Sequence, residues 1–101
     1  MFEILQSETF KRWHSGLKDR QAILRINARL ERVLDGNFGD VKALRAGISE
    51  LRIDYGPGYR VYFMKQGAVV IVLLAGGNKS TQDSDIERAI LLAKDWKEYH
   101  G

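Results

Sequence analysis

Apolar and polar residues alternate over positions 2–6, the period of a strand with one buried face. Ser7 follows, and its hydroxyl suits the N-cap of a helix. Phe10, Trp13 and Leu17 then share one helical side, with Gly16 placed to break or bend the helix. A second helix is predicted over 19–34, where Ala22, Ile23, Ile26, Leu30 and Val33 recur at helical spacing and Gly36 stands as the C-terminal stop. In the middle of the chain the period changes to two. Over 49–55, Leu51, Ile53 and Tyr55 alternate with Glu50, Arg52 and Asp54, and Gly56, Pro57 and Gly58 then mark a turn. Residues 59–65 read as the next strand, Gln66 and Gly67 as a two-residue hairpin turn, and 68–75 as a third strand. That strand is apolar on both faces and is expected to be the most buried. A polar loop follows Gly76 and Gly77, then a helix over 84–99. Ser84 and Glu87 are spaced as a capping box, and Ile86, Ala89, Ile90, Ala93 and Trp96 supply the buried side.

The predicted order is β-α-α-β-β-β-α, an α+β fold in which a small antiparallel sheet, with a three-strand meander, packs against helices. If the loop at positions 56–58 closes symmetrically, Tyr55 faces Tyr59, Ile53 faces Val61 and Leu51 faces Phe63 on one apolar face. The other face then sets Asp54 opposite Arg60, Arg52 opposite Tyr62 and Glu50 opposite Met64. Two readings of that face stand side by side. It is either a wet surface with cross-strand ion pairs, or a surface that grips phosphate through the planar forks of Arg52 and Arg60. The second helix poses the same choice. Arg25, Arg29 and Arg32 form a basic stripe that is either a solvated face or a surface for RNA phosphates or an acidic partner.

Composition narrows the chemistry. The 101 residues, 45% of them apolar, suit a single domain over 1–101 with room for one small, shallow site. There is no cysteine, which excludes disulfides, thiolate metal ligands and a cysteine nucleophile. With only His14 and His100, a zinc site would need carboxylates, so neither a metal nor a cofactor is expected. The start Met1, Phe2, Glu3, Ile4 has no basic n-region, and the longest apolar stretch, 68–75, is too short to cross a bilayer. A cytoplasmic protein without a membrane partner is therefore expected. A net charge of +3 tilts the chain mildly toward polyanions. The loop around Lys79 is not a P-loop, because Asn78 and Leu73 occupy the positions where that motif needs glycine.

Three motifs carry a family resemblance over nearly the whole chain. They are Gly36, Asn37, Phe38, Gly39, Asp40 with Lys42, Ala43, Leu44 and then Gly47, Ile48, Glu50 to Ile53; the run from Gly56 to Phe63; and Gly76 to Gln82 with Asp85 and Ile86 beyond. In that order the chain resembles the RelE/ParE toxin superfamily, closest to its HigB-like, phage-derived addiction module killer proteins. The resemblance implies a RelE-like fold and the toxin half of a type II toxin–antitoxin system. It also implies a cognate antitoxin, commonly a helix-turn-helix DNA-binding protein, as partner. The implied activity is a ribosome-dependent, metal-independent mRNA endoribonuclease (an mRNA interferase, a hydrolase acting on RNA) that inhibits translation. The alternatives are a ParE-like DNA gyrase inhibitor that acts by binding alone, and an inactive relic that only binds its antitoxin.

Cleavage in such nucleases uses the RNA's own 2′-hydroxyl as nucleophile. The protein then supplies positioning, charge stabilisation and proton transfer. Arg60 matches the family's Gly-Tyr-Arg arginine and is expected to stabilise the phosphate, with Arg52 beside it and Lys79 in proton transfer or charge stabilisation. Lys42 and Arg45 are expected to contact ribosomal RNA. Where several relatives carry a catalytic histidine or tyrosine, this chain has Gln82, Asp83 and Asp85. Tyr62 is then the substitute acid or base, or Glu50 or Asp54 the base.

Overall fold

Local capping sets the first three elements. The computed structural model describes residues 1–100, the side chain of His100 excepted. Strand β1, Glu3–Gln6, ends at Ser7, which caps helix α1, Glu8–Ser15. The Ser7 hydroxyl accepts from the Phe10 amide at 3.0 Å and donates to the Leu74 carbonyl at 2.7 Å, so the cap also ties the helix to the sheet. Helix α2, Arg20–Leu34, starts at Asp19, whose Oδ1 accepts from the amides of Gln21 and Ala22. It stops as the glycine predicts. The Gly36 amide bonds to the Val33 carbonyl and that of Asn37 to Arg32, the paired closure of a Schellman motif.

The sheet has five strands in the order β1-β5-β4-β3-β2. Strands β3 (Ile48–Ile53), β4 (Tyr59–Gln66) and β5 (Val70–Asn78) form the expected antiparallel meander. Two features correct the all-antiparallel reading. β1 pairs parallel to β5, and Val41–Ala43 forms an edge strand, β2, beside β3. Three exposed residues give no measurable alternation, which is why β2 leaves no trace in the pattern. The meander's last strand is the most buried, as its two apolar faces predict: Ile71 to Ala75 are at most 2% exposed.

The β3–β4 register also needs correction. Ile53 lies opposite Tyr59, Arg52 opposite Arg60, Leu51 opposite Val61 and Glu50 opposite Tyr62, two positions from the symmetric closure. Tyr55 does not continue the ladder. Its amide turns back to the Ile53 carbonyl at 2.9 Å, the Gly58 amide bonds to its carbonyl at 3.1 Å, and Gly56 and Gly58 take positive φ to close the wider loop. Asp54 therefore sits in the loop and not across from Arg60. A slip of two preserves each residue's face, so the apolar face stays intact.

That face, with Leu51, Ile53, Val61, Phe63, Ile71 and Leu73, packs on Phe10, Ile26 and Val33 of α1 and α2. The other face is not open, contrary to the reading from register. Ile48, Tyr62, Met64, Val72 and Leu74 on it are covered by Ile86, Ala89 and Ala93 of α3, Gln82–His100. A bulge at Tyr62/Phe63 helps, since it turns both Leu74 and Ala75 toward α3.

β5 runs on through Gly76 and Gly77 to Asn78, and a single 3-10 turn, Lys79–Thr81, leads into α3. The capping box here is Asn78 with Thr81; Ser84 lies inside the helix, its hydroxyl donating to the Thr81 carbonyl. Both glycines are required by close approach. A Cβ on Gly76 would lie 2.1 Å from the Trp13 ring, and one on Gly77 would lie 1.8 Å from Asp85 Oδ2. Gly76→Ala is expected to force Trp13 out of its packing and lower stability by about 1–3 kcal/mol. Urea unfolding checks this as a lower midpoint at unchanged slope.

Candidate active site

Beyond the cover of α3, the arginine-bearing end of the second sheet face reaches solvent. Arg52 and Arg60 are direct partners across β3 and β4, and Gly77 of β5 completes their row. In the next row inward lie Lys42, Glu50, Tyr62 and Ala75. Glu50 is 1% exposed, although it carries a carboxylate. Burial of such a charge is tolerable only with paired cations and donors. Here Oε1 lies 3.3 Å from Arg52 Nε, Oε2 lies 3.6 Å from Arg60 Nε, and Gln82 Nε2 donates to Oε2 at 2.7 Å. Arg60 also donates through Nη1 to the Gly58 carbonyl at 2.6 Å. The cluster holds one carboxylate against two guanidinium groups and so keeps a net positive charge.

Those two arginines open onto a depression of about 260 Å³ that is also lined by Asp40, Ile53, Asp54, Gly58 and Lys79. Lys79 is placed there by its turn: its amide reaches the Pro57 carbonyl, and Asn78 Oδ1 accepts from the Ser80 amide and hydroxyl. Asp85 is held over Gly77 by the Thr81 hydroxyl at 2.5 Å.

The structure thus brings Arg52, Arg60 and Lys79 together. Tyr62 is next to them but enclosed, 0% exposed beneath α3, and it does not line the depression. Burial first, and then the charges of Glu50 and Asp85, push its phenol far above the ordinary tyrosine value. Its hydroxyl, Glu50 Oε1 and the Nε atoms of Arg52 and Arg60 are buried without an aligned hydrogen bond.

The remaining basic residues are spread out. Arg25 stacks its guanidinium 4.7 Å above the Tyr55 ring, and the Tyr55 hydroxyl donates to Asp19, a bond that raises its pKa. Arg29 donates to the carbonyls of Arg52, Phe38 and Asp40 and so clamps the segment leading into β2; burial lowers its pKa. With Arg32 these two line a second depression, of about 290 Å³, which shares Ile53 and Asp54 with the first. Arg45 pairs with Glu87 on the surface, and Lys42 stands exposed on the edge strand. His14 is bonded to Asn27 between α1 and α2, on the other side of the sheet. The His100 side chain lies outside the described residues.

Sequence reasoning named Gln82 only as the occupant of a catalytic residue's place; its bond to Glu50 had no local signal, since 32 residues separate the two. No group of three or more His, Asp or Glu side chains able to hold a metal occurs among the described residues. None of their helices is long and apolar enough to cross a membrane.

No family model matches the chain. It is 53% identical over 93 residues to an uncharacterized protein of Haemophilus influenzae, a match that covers 92% of this chain and 94% of that one. The chain belongs to the same family as that protein.

The buried phenol has a consequence for stability. Tyr62 stays protonated in the fold at pH values where an exposed tyrosine ionises, near pH 10. The stability this contributes is complete below that value and is lost as pH rises beyond it. Tyr62→Phe is expected to change the urea midpoint at neutral pH little, because the buried hydroxyl it removes has no well-aligned bond beyond its contact with Glu50. It should also flatten the alkaline decline, with part of the remaining slope due to Tyr55. Urea melts at neutral pH and above about pH 10 check both.

Proposed function

We propose that this chain is a RelE-like toxin of a type II toxin–antitoxin system, acting in the cytoplasm as a ribosome-dependent endoribonuclease on mRNA. The observation that carries this reading is the pairing of Arg52 and Arg60 across β3 and β4, opening with Lys79 onto one depression at the end of the sheet. A phosphate seated there meets three cations on three elements. Cationic donors preorganised around a phosphate are what stabilises the charge of a phosphoryl transition state.

In the proposed reaction the 2′-oxygen forms a bond to the adjacent phosphorus, and the bond from phosphorus to the 5′-oxygen breaks. Arg60 and Arg52 stabilise the charge on the phosphate oxygens. Asp54, which lines the same depression, accepts the 2′-hydroxyl proton. Lys79 donates a proton to the departing 5′-oxygen or holds its charge. Tyr62, enclosed as it is, acts only by packing beneath the arginines. Arg25, Arg29, Lys42 and Arg45 are the proposed contacts to RNA and ribosome, and an antitoxin with a helix-turn-helix domain is the proposed partner.

One observation favours a second reading, in which the chain binds and inhibits DNA gyrase without catalysis. Among the described residues, no histidine or tyrosine lines the depression. A supercoiling assay with purified protein separates the two, because the nuclease leaves gyrase untouched.

Arg60→Ala is expected to abolish growth arrest at matched expression and to lower mRNA cleavage on translating ribosomes by roughly 100-fold or more. RNA binding should weaken with salt, and the variant should lose about 0.7 from the log–log slope for the phosphate contact removed. Growth arrest by the variant at wild-type strength would overturn the role of Arg60.

A further inference from the structure

Glu50 is an unexpected residue beneath a phosphate site. A carboxylate there repels the anion the arginines are meant to hold, and its burial is unfavourable in itself. Yet it is the most enclosed charged side chain of the cluster, at 1% exposure, with Oε2 bonded to Gln82 and each oxygen within ion-pair distance of an arginine Nε. It meets each guanidinium at Nε, the inner edge of the fork. Of the outer edges, Arg60 commits only Nη1, to the Gly58 carbonyl at the wall of the depression, and its Nη2 and the terminal nitrogens of Arg52 remain for a ligand.

We propose that Glu50 is the positioning residue of this site, its carboxylate anchored by Gln82 and gripping the inner edges of Arg52 and Arg60 so that their outer edges form one fixed fork for a phosphate. The inference rests on the reading that the depression takes an RNA phosphate. Arginine side chains carry large rotamer entropy, and Arg52 is 37% exposed, so without a tether its guanidinium would have to be ordered each time an anion binds. The tether comes from the strand that carries Arg52, and Gln82 fixes the tether from the first turn of α3.

Electrostatics and positioning predict opposite signs for Glu50→Gln. This variant keeps the shape, removes the negative charge and raises the net charge by one. If only local charge mattered, phosphate binding and cleavage would improve. With Glu50 as positioning residue, cleavage on the ribosome falls about 100-fold, the scale of a misplacement near 1 Å. Affinity for a short oligoribonucleotide blocked by a 2′-deoxy substitution falls with it. The second readout is the Nε–H resonances of 15N-labelled arginine. Those of Arg52 and Arg60 should be dispersed and slow to exchange in the wild type and collapse toward the averaged position in Glu50→Gln. The Arg29 signal, whose guanidinium is held by the backbone carbonyls of Arg52, Phe38 and Asp40 and touches no part of Glu50, should stay in place and report an intact fold.

Unchanged Arg52 and Arg60 signals, or equal or better oligonucleotide affinity and cleavage, would overturn the inference. If the wild type cleaves no RNA, the nuclease reading fails by itself, and inorganic phosphate titrated against the same arginine signals still decides the role of Glu50. Should Glu50→Gln not fold, Gln82→Ala removes the anchor alone. It is expected to cost about tenfold in affinity, the lower end for a supporting contact, and unaltered affinity with unaltered arginine signals would count against Glu50.

Discussion

A carboxylate buried between a sheet and a helix constrains this molecule more than any other single group. Glu50 must have cations and donors within reach, because an isolated ion in that position would cost several kcal/mol. The requirement fixes its neighbours. Arg52 and Arg60 have to stand side by side across β3 and β4, and α3 has to begin where Gln82 can donate to Oε2. For α3 to begin there, the chain must leave β5 through a tight turn, and Asp85 must lie on the bare backbone of Gly77. Gly76 answers a matching demand from the opposite face, where the Trp13 ring occupies the space of a side chain. The two adjacent glycines thus let two helices approach the same strand from opposite sides.

Much of the fold is legible because its causes are local. Ser7, Asp19 and Gly36 act on backbone groups within a few residues, so the ends of α1 and α2 follow from residue chemistry alone. The meander is legible because alternation and turn residues are local too. Its second turn, however, is the three residues 67–69, with Gln66 still in β4 opposite Val70, and not the two-residue turn expected at Gln66 and Gly67. What escapes is whatever depends on partners far away in the chain. The parallel pairing of β1 with β5 joins residues almost seventy positions apart, and nothing within 3–6 announces it. The register of β3 against β4 is hidden for a subtler reason. Alternation fixes which face a residue occupies, and a slip of two leaves every face unchanged, so the pattern is equally satisfied by both pairings. Tyr55 instead leaves the ladder for Asp19, the cap of α2, and for Arg25 within that helix.

The same limit applies to the site. Arginine and tyrosine on one face were readable from period two, but not how much of that face remains open. Ile48, Met64, Val72 and Leu74 extend the face with apolar side chains that need cover, and α3 supplies it. Tyr62 and Glu50 therefore pass beneath the helix while Arg52 stays half in solvent. The consequence is a division of labour that neither residue type nor spacing indicates. Tyr62, which sequence offers as acid or base, is sealed in, whereas Asp54, displaced from its expected cross-strand pairing, lines the depression.

The charge balance of the cluster bears on what belongs in that depression. One carboxylate between two guanidinium groups leaves a local positive charge beside the depression, poorly hydrated because the Arg60 side chain is only 13% exposed. A third cation, Lys79, faces the same space, and the carboxylates of Asp40 and Asp54 stand at its walls. If stability alone governed the arrangement, an apolar core end or a second buried acid would serve better. Paired guanidinium groups lining a depression are instead suited to an anion that comes and goes. The proposed RNA phosphate is such an anion, and the 2′-hydroxyl next to it would then fall among the carboxylates that line the walls. Positive charge from beneath and carboxylates at the side are the two things that phosphoryl transfer from a 2′-oxygen asks of a protein.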